Sequence, residues 1–270
     1  MPELPEVEVT RLGLEPVLVG ARVTTVECRT PRLRYPLPTR LAQRLQGQRL
    51  EGIARRGKYL LFDFGVGHLL LHLGMTGSLR LLEAAAPPQI HDHFDLVFGK
   101  RLMRLRDPRR FGAVLWLTEE PARHPLIAVL GQEPLADEFT PSWLLGQTRN
   151  RSAPIKQVLM DSHLVVGIGN IYASESLFRA AIDPRRAAAT ISLQRYRRLV
   201  PAIRETLQAA IAAGGSSLRD FVRSDGSTGY FQQQYFVYGR TGESCLKCGG
   251  PVQSLRQGGR ASFFCPRCQR

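Results

Sequence analysis

Residues 245–268, which read CLKCGGPVQSLRQGGRASFFCPRC, contain two Cys-x2-Cys pairs separated by sixteen residues. Each pair places two thiolates on one tight turn, and together the pairs complete a tetrahedral zinc site with Cys245, Cys248, Cys265 and Cys268 as ligands. The alternatives are two disulfides or redox-active pairs, but a cytosolic chain disfavours disulfides and nothing here resembles a βαβ redox domain. The stretch therefore predicts one structural zinc ion that holds a β-hairpin and leaves no coordination position open for catalysis.

The predicted hairpin also carries arginines, in a chain that is strongly basic throughout. The whole chain of 270 residues has a formal net charge of +14 and a sequence pI near 10.3. Residues 171–270 hold 15 basic and 6 acidic side chains, so the C-terminal part is the more basic. A pI above about 9 makes nucleic acid the leading partner hypothesis. The charge predicts affinity for a polyanion but does not indicate which reaction, if any, the protein catalyses.

N-terminal to the cysteines, apolar residues recur at helical spacing. This spacing predicts helices over residues 154–160, 170–180 and 192–213, followed by a long Gly, Ser and Asp-rich loop over 214–229. Gly167 and Gly169 precede the second helix, where glycines let the backbone approach a phosphate closely at a helix N-terminus. A plain helix cap is the alternative interpretation of these glycines.

The first 130 or so residues favour strands instead of helices. A helix over residues 6–18 is followed by β-branched and apolar runs at 22–26, 58–64, 69–73, 78–82, 94–98, 102–105 and 113–117. Short strands at such spacing predict a β-sandwich or barrel. Cys28 is interpreted as a small buried hydrophobic residue, and the proline-punctuated stretch 134–152 as a linker between domains.

No apolar run approaches the roughly 18 residues of a membrane span. The N-terminus carries acid and proline where a signal peptide needs a basic and then an apolar stretch, so we expect a cytoplasmic protein with no membrane association. Removal of Met1 would leave Pro2 with a free secondary amine, a nucleophile whose pKa is about 8 in model compounds. The alternative is that Pro2 stiffens the chain before a helix and that Glu3 and Glu6 are ordinary first-turn acids.

Six motifs occur in one order along the chain. They are residues 2–8 (PELPEVE), 56–60 (RGKYL), 72–77 (HLGMTG), 107–112 (DPRRFG), 169–173 (GNIYA) and the four-cysteine ribbon. Together they resemble formamidopyrimidine-DNA glycosylase, the bacterial family that excises oxidised purines, from residue 2 to about 269. Val9 is a departure, since the family often has Thr there, and we expect it to affect helix packing only.

The resemblance implies a base-excision-repair enzyme that is both a DNA glycosylase and a lyase. Pro2 would attack C1′ of the damaged nucleotide and form a Schiff base, and β,δ-elimination would then cut the strand. Glu3 would protonate the sugar ring oxygen, Lys58 would bind near the reacting phosphate and lower the pKa of the Pro2 amine, and Glu6 would support the N-terminal segment.

A base in the stack is out of reach, so the nucleotide must be flipped out of the duplex. The resemblance implies that Met75 and Phe111 fill the gap while Arg109 pairs with the orphaned cytosine; the alternative is that both apolar residues belong to the core. Further DNA contacts are implied for His72, His91, Lys156, Asn170, Tyr238 and Arg260, with Ser217, Arg219 and Tyr230 as candidate contacts to the extruded base. The run 91–93 (HDH) is interpreted as a hydrogen-bonded strand end, in preference to a metal site.

The resulting expectation is an α+β fold: an N-terminal β-sandwich with a leading helix, then a helix-two-turn-helix domain ending in a zinc-ribbon hairpin. The expected boundaries are 1–133 for the catalytic domain, 134–152 for the linker, 153–231 for the helical domain and 232–270 for the zinc finger. The partner would be damaged double-stranded DNA, bound by a monomer associated with the bacterial nucleoid. The alternatives are an endonuclease VIII-like enzyme for oxidised pyrimidines, which usually has Gly at the position of Leu4, and a non-catalytic zinc-ribbon DNA-binding protein.

Overall fold

The computed structural model describes residues 1–215 and 235–270, and these residues form two compact units. The first unit contains residues 1–129 together with 211–215, and the second contains residues 130–210 and 235–270. No helix within these ranges is long and apolar enough to cross a membrane. The candidate base contacts Ser217, Arg219 and Tyr230 lie outside the described residues.

Helices and strands are mixed along the chain, as in an α+β fold. The helices are α1 (Leu4–Leu18), α2 (Leu41–Leu45), α3 (Pro125–Ala128), α4 (Pro141–Thr148), α5 (Ile155–Leu159), α6 (Asn170–Arg179) and α7 (Leu193–Ala212). The strands are β1 (Thr25–Cys28), β2 (Gly52–Arg56), β3 (Tyr59–Asp63), β4 (His68–His72), β5 (Ser78–Glu83), β6 (Asp92–Phe98), β7 (Arg101–Arg106), β8 (Ala113–Leu117), β9 (Gln253–Gln257) and β10 (Arg260–Phe264).

The first unit contains two antiparallel four-stranded sheets, with the strand orders β1-β6-β7-β5 and β2-β3-β4-β8. Arg56 pairs with Tyr59, so Gly57 and Lys58 alone form the turn between β2 and β3. His72, at the end of β4, pairs with Tyr59 on one side and with Ala113, the first residue of β8, on the other. This register brings the Lys58 turn and the loops that follow β4 and precede β8 to one end of the sheet.

One apolar core is shared by the two sheets and α1. Leu60 and Leu71 enter it from one sheet, Phe94 and Met103 from the other, and Leu14 from the helix. Each is exposed by at most 1%, as expected where alternate residues of two facing sheets point inward. The predicted β-sandwich with a leading helix is confirmed.

Three details of this unit differ from the sequence-based expectation. Helix α1 begins at Leu4, because Glu3 takes the N-cap position and Pro5 lies in the first turn, where its missing N–H costs no hydrogen bond. Strand β2 was not predicted, since only Ile53 of its five residues is buried and no alternation is visible. The prediction that Cys28 is buried is wrong: it is exposed, because β1 pairs only with β6 and lies at the edge of its sheet.

The second unit is helical and ends in the β9–β10 hairpin. Helices α5, α6 and α7 agree with the predicted ranges to within one residue at each end. The stretch expected to be a linker instead contains α4: Thr140 accepts a hydrogen bond of 3.1 Å from the Trp143 amide, and Pro141 follows at the first helical position. Pro141 therefore opens a helix within the stretch that the sequence predicts to be a linker.

The hairpin packs on the C-terminal end of α6. Phe178 of α6 shares a small apolar cluster with Val237, Val252, Cys245 and Cys265. The helix that begins at Asn170 thus ends at the cysteine ribbon.

Candidate functional site

The N-terminal segment buries its two acidic side chains in the first unit. Pro2 is buried, and Glu3 and Glu6 are exposed by only 2% and 1%. The Glu3 amide donates a hydrogen bond of 2.8 Å to Glu6 Oε2, which satisfies a donor that the helix itself leaves without a partner. The Pro2 nitrogen is here the amide of the Met1–Pro2 bond, and it becomes an amine only when Met1 is removed.

Glu8 and Arg55, for which the sequence predicts no role, connect α1 to the Lys58 turn. Arg55 Nε donates to Glu8 Oε2 at 2.9 Å, and its Nη1 donates to the Gly57 carbonyl at 3.0 Å. Burial opposes ionisation of Glu8, but hydrogen bonds and charges from Arg11 and Arg55 outweigh it and lower the pKa of Glu8. An ionised Glu8 thus helps to fix the turn relative to α1.

His72 is a neutral donor in this site. Burial lowers its pKa to about 4, and the positive charges of Lys58 and Arg34 contribute to the shift. Its Nδ1 accepts a hydrogen bond of 2.9 Å from the Gly74 amide, so the proton of the neutral ring is on Nε2. Tyr59 packs against the ring with the centroids 4.8 Å apart. His72 can therefore donate to an anion without carrying charge.

The predicted wedge residues lie on the surface. Met75 and Phe111 are exposed by 39% and 44%, which excludes the alternative that they belong to the core. The guanidinium of Arg109 lies over the Phe111 ring at 4.7 Å from its centroid, a cation–π contact. A Cβ at Gly74 would come within 2.4 Å of the Phe111 carbonyl carbon, so the two loops touch at a position that only glycine fits.

Asp107 and Thr76 fasten these two loops together. Asp107 is fully buried, and its Oδ1 accepts a hydrogen bond of 2.9 Å from Thr76 Oγ1 while its Oδ2 accepts one of 2.7 Å from the Gly112 amide. Thr76 Oγ1 in turn accepts from the Arg109 amide at 3.3 Å. Both residues stand inside quoted motifs, but only the fold shows that they join the loops.

Residues 91–93 form a hydrogen-bonded strand end, as predicted. His93 Nε2 lies 3.0 Å from the Asp107 carbonyl oxygen, and the His91 carbonyl accepts a hydrogen bond of 3.0 Å from the Asp107 amide. His91 itself has a φ of +75°, a left-handed conformation that is uncommon outside glycine. Within residues 1–215 and 235–270, the four cysteines are the one group of three or more side chains placed to bind a metal.

In the second unit, Lys156 is the centre of a buried polar cluster. Its side chain is almost fully buried, with the residue 1% exposed. Nζ donates to Asn170 Oδ1 at 2.6 Å, to the Ala261 carbonyl at 2.8 Å and to Ser262 Oγ at 2.8 Å. An ammonium has three protons, so these bonds join α5, the start of α6 and β10.

Asn170 is oriented by this contact. Because its Oδ1 accepts from Lys156, its Nδ2 points away with two donors, and no acceptor for Nδ2 is present in the described part of the chain. Asn170 is the first residue of α6, after Gly169 at the N-cap, and the first turn contains no acidic side chain. Amide donors at a helix N-terminus favour an anion there.

Tyr238 and Arg260 lie on the ribbon side of the same unit. Glu175 of α6, which sequence reasoning missed, accepts backbone hydrogen bonds of 2.9–3.0 Å from Phe236, Val237 and Tyr238. Burial raises the pKa of Glu175 against the opposing effect of these bonds. Arg260 is exposed at the β9–β10 turn and lines a cavity of about 220 Å³ with Lys156 and Ser262, among other residues.

The four cysteine sulfurs form a compact cluster in which all lie within 4.8 Å of one another. The Sγ atoms of Cys245 and Cys268 are 3.9 Å apart, and those of Cys248 and Cys265 are 3.5 Å apart. Thiolates about 2.3 Å from one tetrahedral zinc are about 3.8 Å from each other, whereas a disulfide brings its sulfurs to about 2.0 Å. The donor set and its spacing fit one structural zinc, and all four cysteines are free thiols.

The predicted site residues thus form two groups. Glu3, Glu6, Lys58, His72, Met75, His91, Arg109 and Phe111 belong to the first unit, and Lys156, Asn170, Tyr238, Arg260 and the cysteines belong to the second. Lys58 and His72 are close in the first group, as are Met75, Arg109 and Phe111. Lys156, Asn170 and the hairpin strand that starts at Arg260 are close in the second.

Comparison with protein families gives three matches along the chain. They are the formamidopyrimidine-DNA glycosylase N-terminal domain at residues 1–114, the formamidopyrimidine-DNA glycosylase H2TH domain at 130–222, and a zinc finger found in FPG and IleRS at 242–270. The matches cover all three predicted architectural parts. They include the helix-two-turn-helix domain, which the sequence predicted by resemblance.

Whole proteins and solved structures match at full length. The chain is 59% identical to a formamidopyrimidine-DNA glycosylase of Aromatoleum aromaticum, with all of both chains covered, and 58% identical to one of Methylobacillus flagellatus, with all of this chain and 97% of the relative covered. Among structures, a complex of Lactococcus lactis Fpg with DNA containing an abasic site matches with a TM-score of 0.90, 37% identity and 99% of each chain. MutM (Fpg) from Thermus thermophilus matches with a TM-score of 0.89, 40% identity and 99% and 98% of the two chains.

Proposed function

The chain belongs to the formamidopyrimidine-DNA glycosylase family, and from that membership we propose how its own residues remove a damaged base and cut the strand. It is a base-excision-repair DNA glycosylase for oxidised purines in duplex DNA. The observation that carries this assignment is the 59% identity to a formamidopyrimidine-DNA glycosylase over the whole length of both chains.

Pro2 is the nucleophile once Met1 has been removed. Its lone pair attacks C1′, the glycosidic bond breaks, and the base leaves with the bonding electrons and a proton. Glu3 protonates the sugar ring oxygen, which opens the ring and gives an iminium between Pro2 and C1′. The iminium withdraws electrons and acidifies the C2′ proton, so the 3′-phosphate leaves by β-elimination and the 5′-phosphate by δ-elimination. A secondary amine suits this reaction because its iminium is permanently cationic.

Lys58 supplies positive charge at the reacting phosphate. Its charge also lowers the pKa of the nearby Pro2 amine, which favours the neutral, nucleophilic form of that amine. The Glu8–Arg55–Gly57 hydrogen bonds support this role, because they tie the Lys58 turn to the helix that follows Pro2. Glu6 acts as a positioning residue through its bond to the Glu3 amide.

Met75, Arg109 and Phe111 act where the nucleotide leaves the duplex. A thioether and an aromatic ring at two touching loop tips have the shape and apolarity to fill the gap in the stack. The guanidinium of Arg109 offers several donors to the acceptors of the orphaned cytosine. The exposure of both apolar side chains supports the proposal.

Phosphate contacts come from both units. His72 donates from Nε2, His91 contributes from the strand end, and Asn170 donates from Nδ2. Tyr238 and Arg260 act from the ribbon side. Because Lys156 already donates three hydrogen bonds within the protein, it favours the phosphate through its charge and by orienting Asn170.

The chain binds one structural zinc ion, and Cys245, Cys248, Cys265 and Cys268 hold it. The metal fixes the turns of the hairpin on which Arg260 lies, and the bound cysteines leave no position for substrate. We further propose that the enzyme acts as a monomer on the chromosome in the bacterial cytoplasm, since one chain supplies every group named above.

Borohydride trapping tests the mechanism. The mature chain, with its N-terminus verified by mass spectrometry, is incubated with duplex DNA carrying 8-oxoguanine opposite cytosine and then reduced. We expect a covalent protein–DNA adduct from the unsubstituted chain and from the control Pro5→Ala, and none from Pro2→Gly with an acetylated terminus. An undiminished adduct from the blocked Pro2→Gly chain, or no adduct from the processed chain, would contradict the proposal.

A further inference from the structure

Arg34 is an exposed arginine to which neither the motifs nor the proposed function assigns a role. It lies in the segment between β1 and α2, which also contains Arg29 and Arg32. Arg29 is paired with Asp95 at 2.6 Å. The guanidinium of Arg34 has no acidic partner in the part of the chain that the structure describes, and it packs over the neighbouring Tyr35 ring at 5.5 Å from the centroid.

The backbone of Arg34 is fixed against the loop that carries Phe111. Its amide donates a hydrogen bond of 3.0 Å to the Gly112 carbonyl. On either side, Leu33 and Leu37 are buried in the sandwich core, and the Leu37 amide donates to the Pro31 carbonyl at 3.0 Å. The segment is therefore held by core packing and by hydrogen bonds of its own.

Strand register places Arg34 at the end of the sheet where the proposed chemistry occurs. Gly112 directly precedes Ala113, which pairs with His72, and His72 pairs with Tyr59, the residue after Lys58. Arg34, His72 and Lys58 thus belong to adjacent backbone segments at one sheet end. The charge of Arg34 acts on both aromatic groups there, since it contributes to lowering the pKa of His72 and opposes the rise in the pKa of Tyr59.

Arg34 and Lys58 place positive charge beside a buried histidine that stays neutral. Such an arrangement is favourable when an anion binds between the groups. The oxygens of a DNA phosphate can accept two hydrogen bonds from the guanidinium of Arg34. Their negative charge also suits the ammonium of Lys58 and the neutral imidazole N–H of His72.

We propose that Arg34 binds a backbone phosphate of the damaged strand, next to the phosphate that Lys58 and His72 bind. This proposal rests on the proposed function, because it takes the same duplex as ligand. Through the Gly112 contact, Arg34 also couples phosphate binding to the position of the Phe111 loop. Arg34 is thus a binding residue at the reaction site and takes no part in bond breaking.

The test is the salt dependence of binding to a duplex with a tetrahydrofuran abasic analogue opposite cytosine, which the enzyme cannot cleave. A lost phosphate contact reduces the slope of log K against log salt by about 0.9. We expect this reduction for Arg34→Ala, with binding about tenfold weaker near 0.1 M salt. Arg34→Lys keeps the charge and should retain the slope while losing affinity, because an ammonium cannot form the fork.

Arg32→Ala is the matched control, since Arg32 is exposed in the same segment but is not bonded to the Gly112 loop. Its slope should equal that of the unsubstituted chain. An unchanged slope for Arg34→Ala, or an equal reduction for Arg32→Ala, would overturn the proposal. Borohydride trapping with the unsubstituted chain is independent of this result: failure to trap refutes the Pro2 mechanism, whereas an unchanged slope refutes only the role of Arg34.

Discussion

Replacing Lys156 by Met tests whether the second unit is held together by one buried ammonium. The substitution keeps the length of the side chain but removes all three donors. It leaves Asn170 Oδ1, the Ala261 carbonyl and Ser262 Oγ without the partners they now have at 2.6–2.8 Å. Each buried acceptor left unsatisfied costs about 1–3 kcal/mol, and removal of a buried charge recovers part of that. Only the bond to Ser262 is fully buried, whereas those to Asn170 and Ala261 are partly buried. We therefore expect the second unit to lose about 1–3 kcal/mol, the cost of one buried acceptor.

The two tryptophans allow this loss to be measured in one unit. Trp116 lies in the first unit and Trp143 in the second, so a Trp116→Phe background leaves Trp143 as the single indole reporter. When unfolding in urea is followed by Trp143 fluorescence, Lys156→Met should unfold at a lower midpoint concentration of urea. Lys247→Met makes the same chemical change at an exposed lysine and should leave the midpoint unchanged.

A loss below about 1 kcal/mol, less than a single unsatisfied acceptor costs, would refute the view that Lys156 joins α5, α6 and β10. So would an equal loss in the Lys247 control. Because Asn170 is oriented by Lys156, weaker binding of damaged duplex is expected in the same variant. Binding that is unchanged while stability falls would separate the positioning of Asn170 from the stability of the unit.

Three further outcomes are expected. Burial lowers the pKa of His72 in the folded chain from 6.5 to about 4, so as the pH falls His72 is protonated first in the unfolded chain. The free energy of unfolding should therefore fall by about 3 kcal/mol in total between pH 6.5 and pH 4. His72→Gln should remove this part of the pH dependence, measured by urea titration at several pH values. Thr76→Val leaves Asp107 Oδ1 without its hydrogen bond; it should lower the free energy of unfolding by about 1–3 kcal/mol and slow excision of 8-oxoguanine. The control Thr118→Val, at an exposed threonine, should change neither the free energy of unfolding nor the single-turnover rate. Removal of zinc by a chelator should unfold the hairpin and weaken duplex binding, while Trp116 fluorescence stays unchanged. Retained affinity in metal-free protein, verified by elemental analysis, would contradict a structural role.

The sequence predicts the zinc ligands and the later helices because their patterns allow few interpretations. Four cysteines in two pairs allow few interpretations, and the helical spacing of α5 to α7 gives their ends to within one residue. The sequence does not predict β2, because only Ile53 of that strand is a buried apolar residue. It also does not predict α4, where Pro141 begins a helix instead of preventing one. Cys28 was misassigned because no local pattern tells an edge strand from a central one.

The connections between site residues were not predictable, because they depend on strand register and on tertiary contacts. Asp107 and Thr76 are thirty-one positions apart and meet because Ser78 of β5 pairs with Arg106 of β7. Glu175 looks like any helical glutamate until its carboxylate is seen to accept three amides from residues 236–238. Lys156 was expected to face a phosphate directly, and only the packed hairpin shows that its donors are used within the protein.

Helix α6 begins at Asn170 and ends at Phe178 and Arg179, beside the cysteine cluster. Ten residues at about 1.5 Å each make a rigid segment of about 15 Å with no hinge. We therefore expect that loss of the metal shifts the end of α6 next to the cysteines and, through this one helix, the position of Asn170. Molecules that lack the metal should therefore keep an intact sandwich but bind duplex DNA weakly.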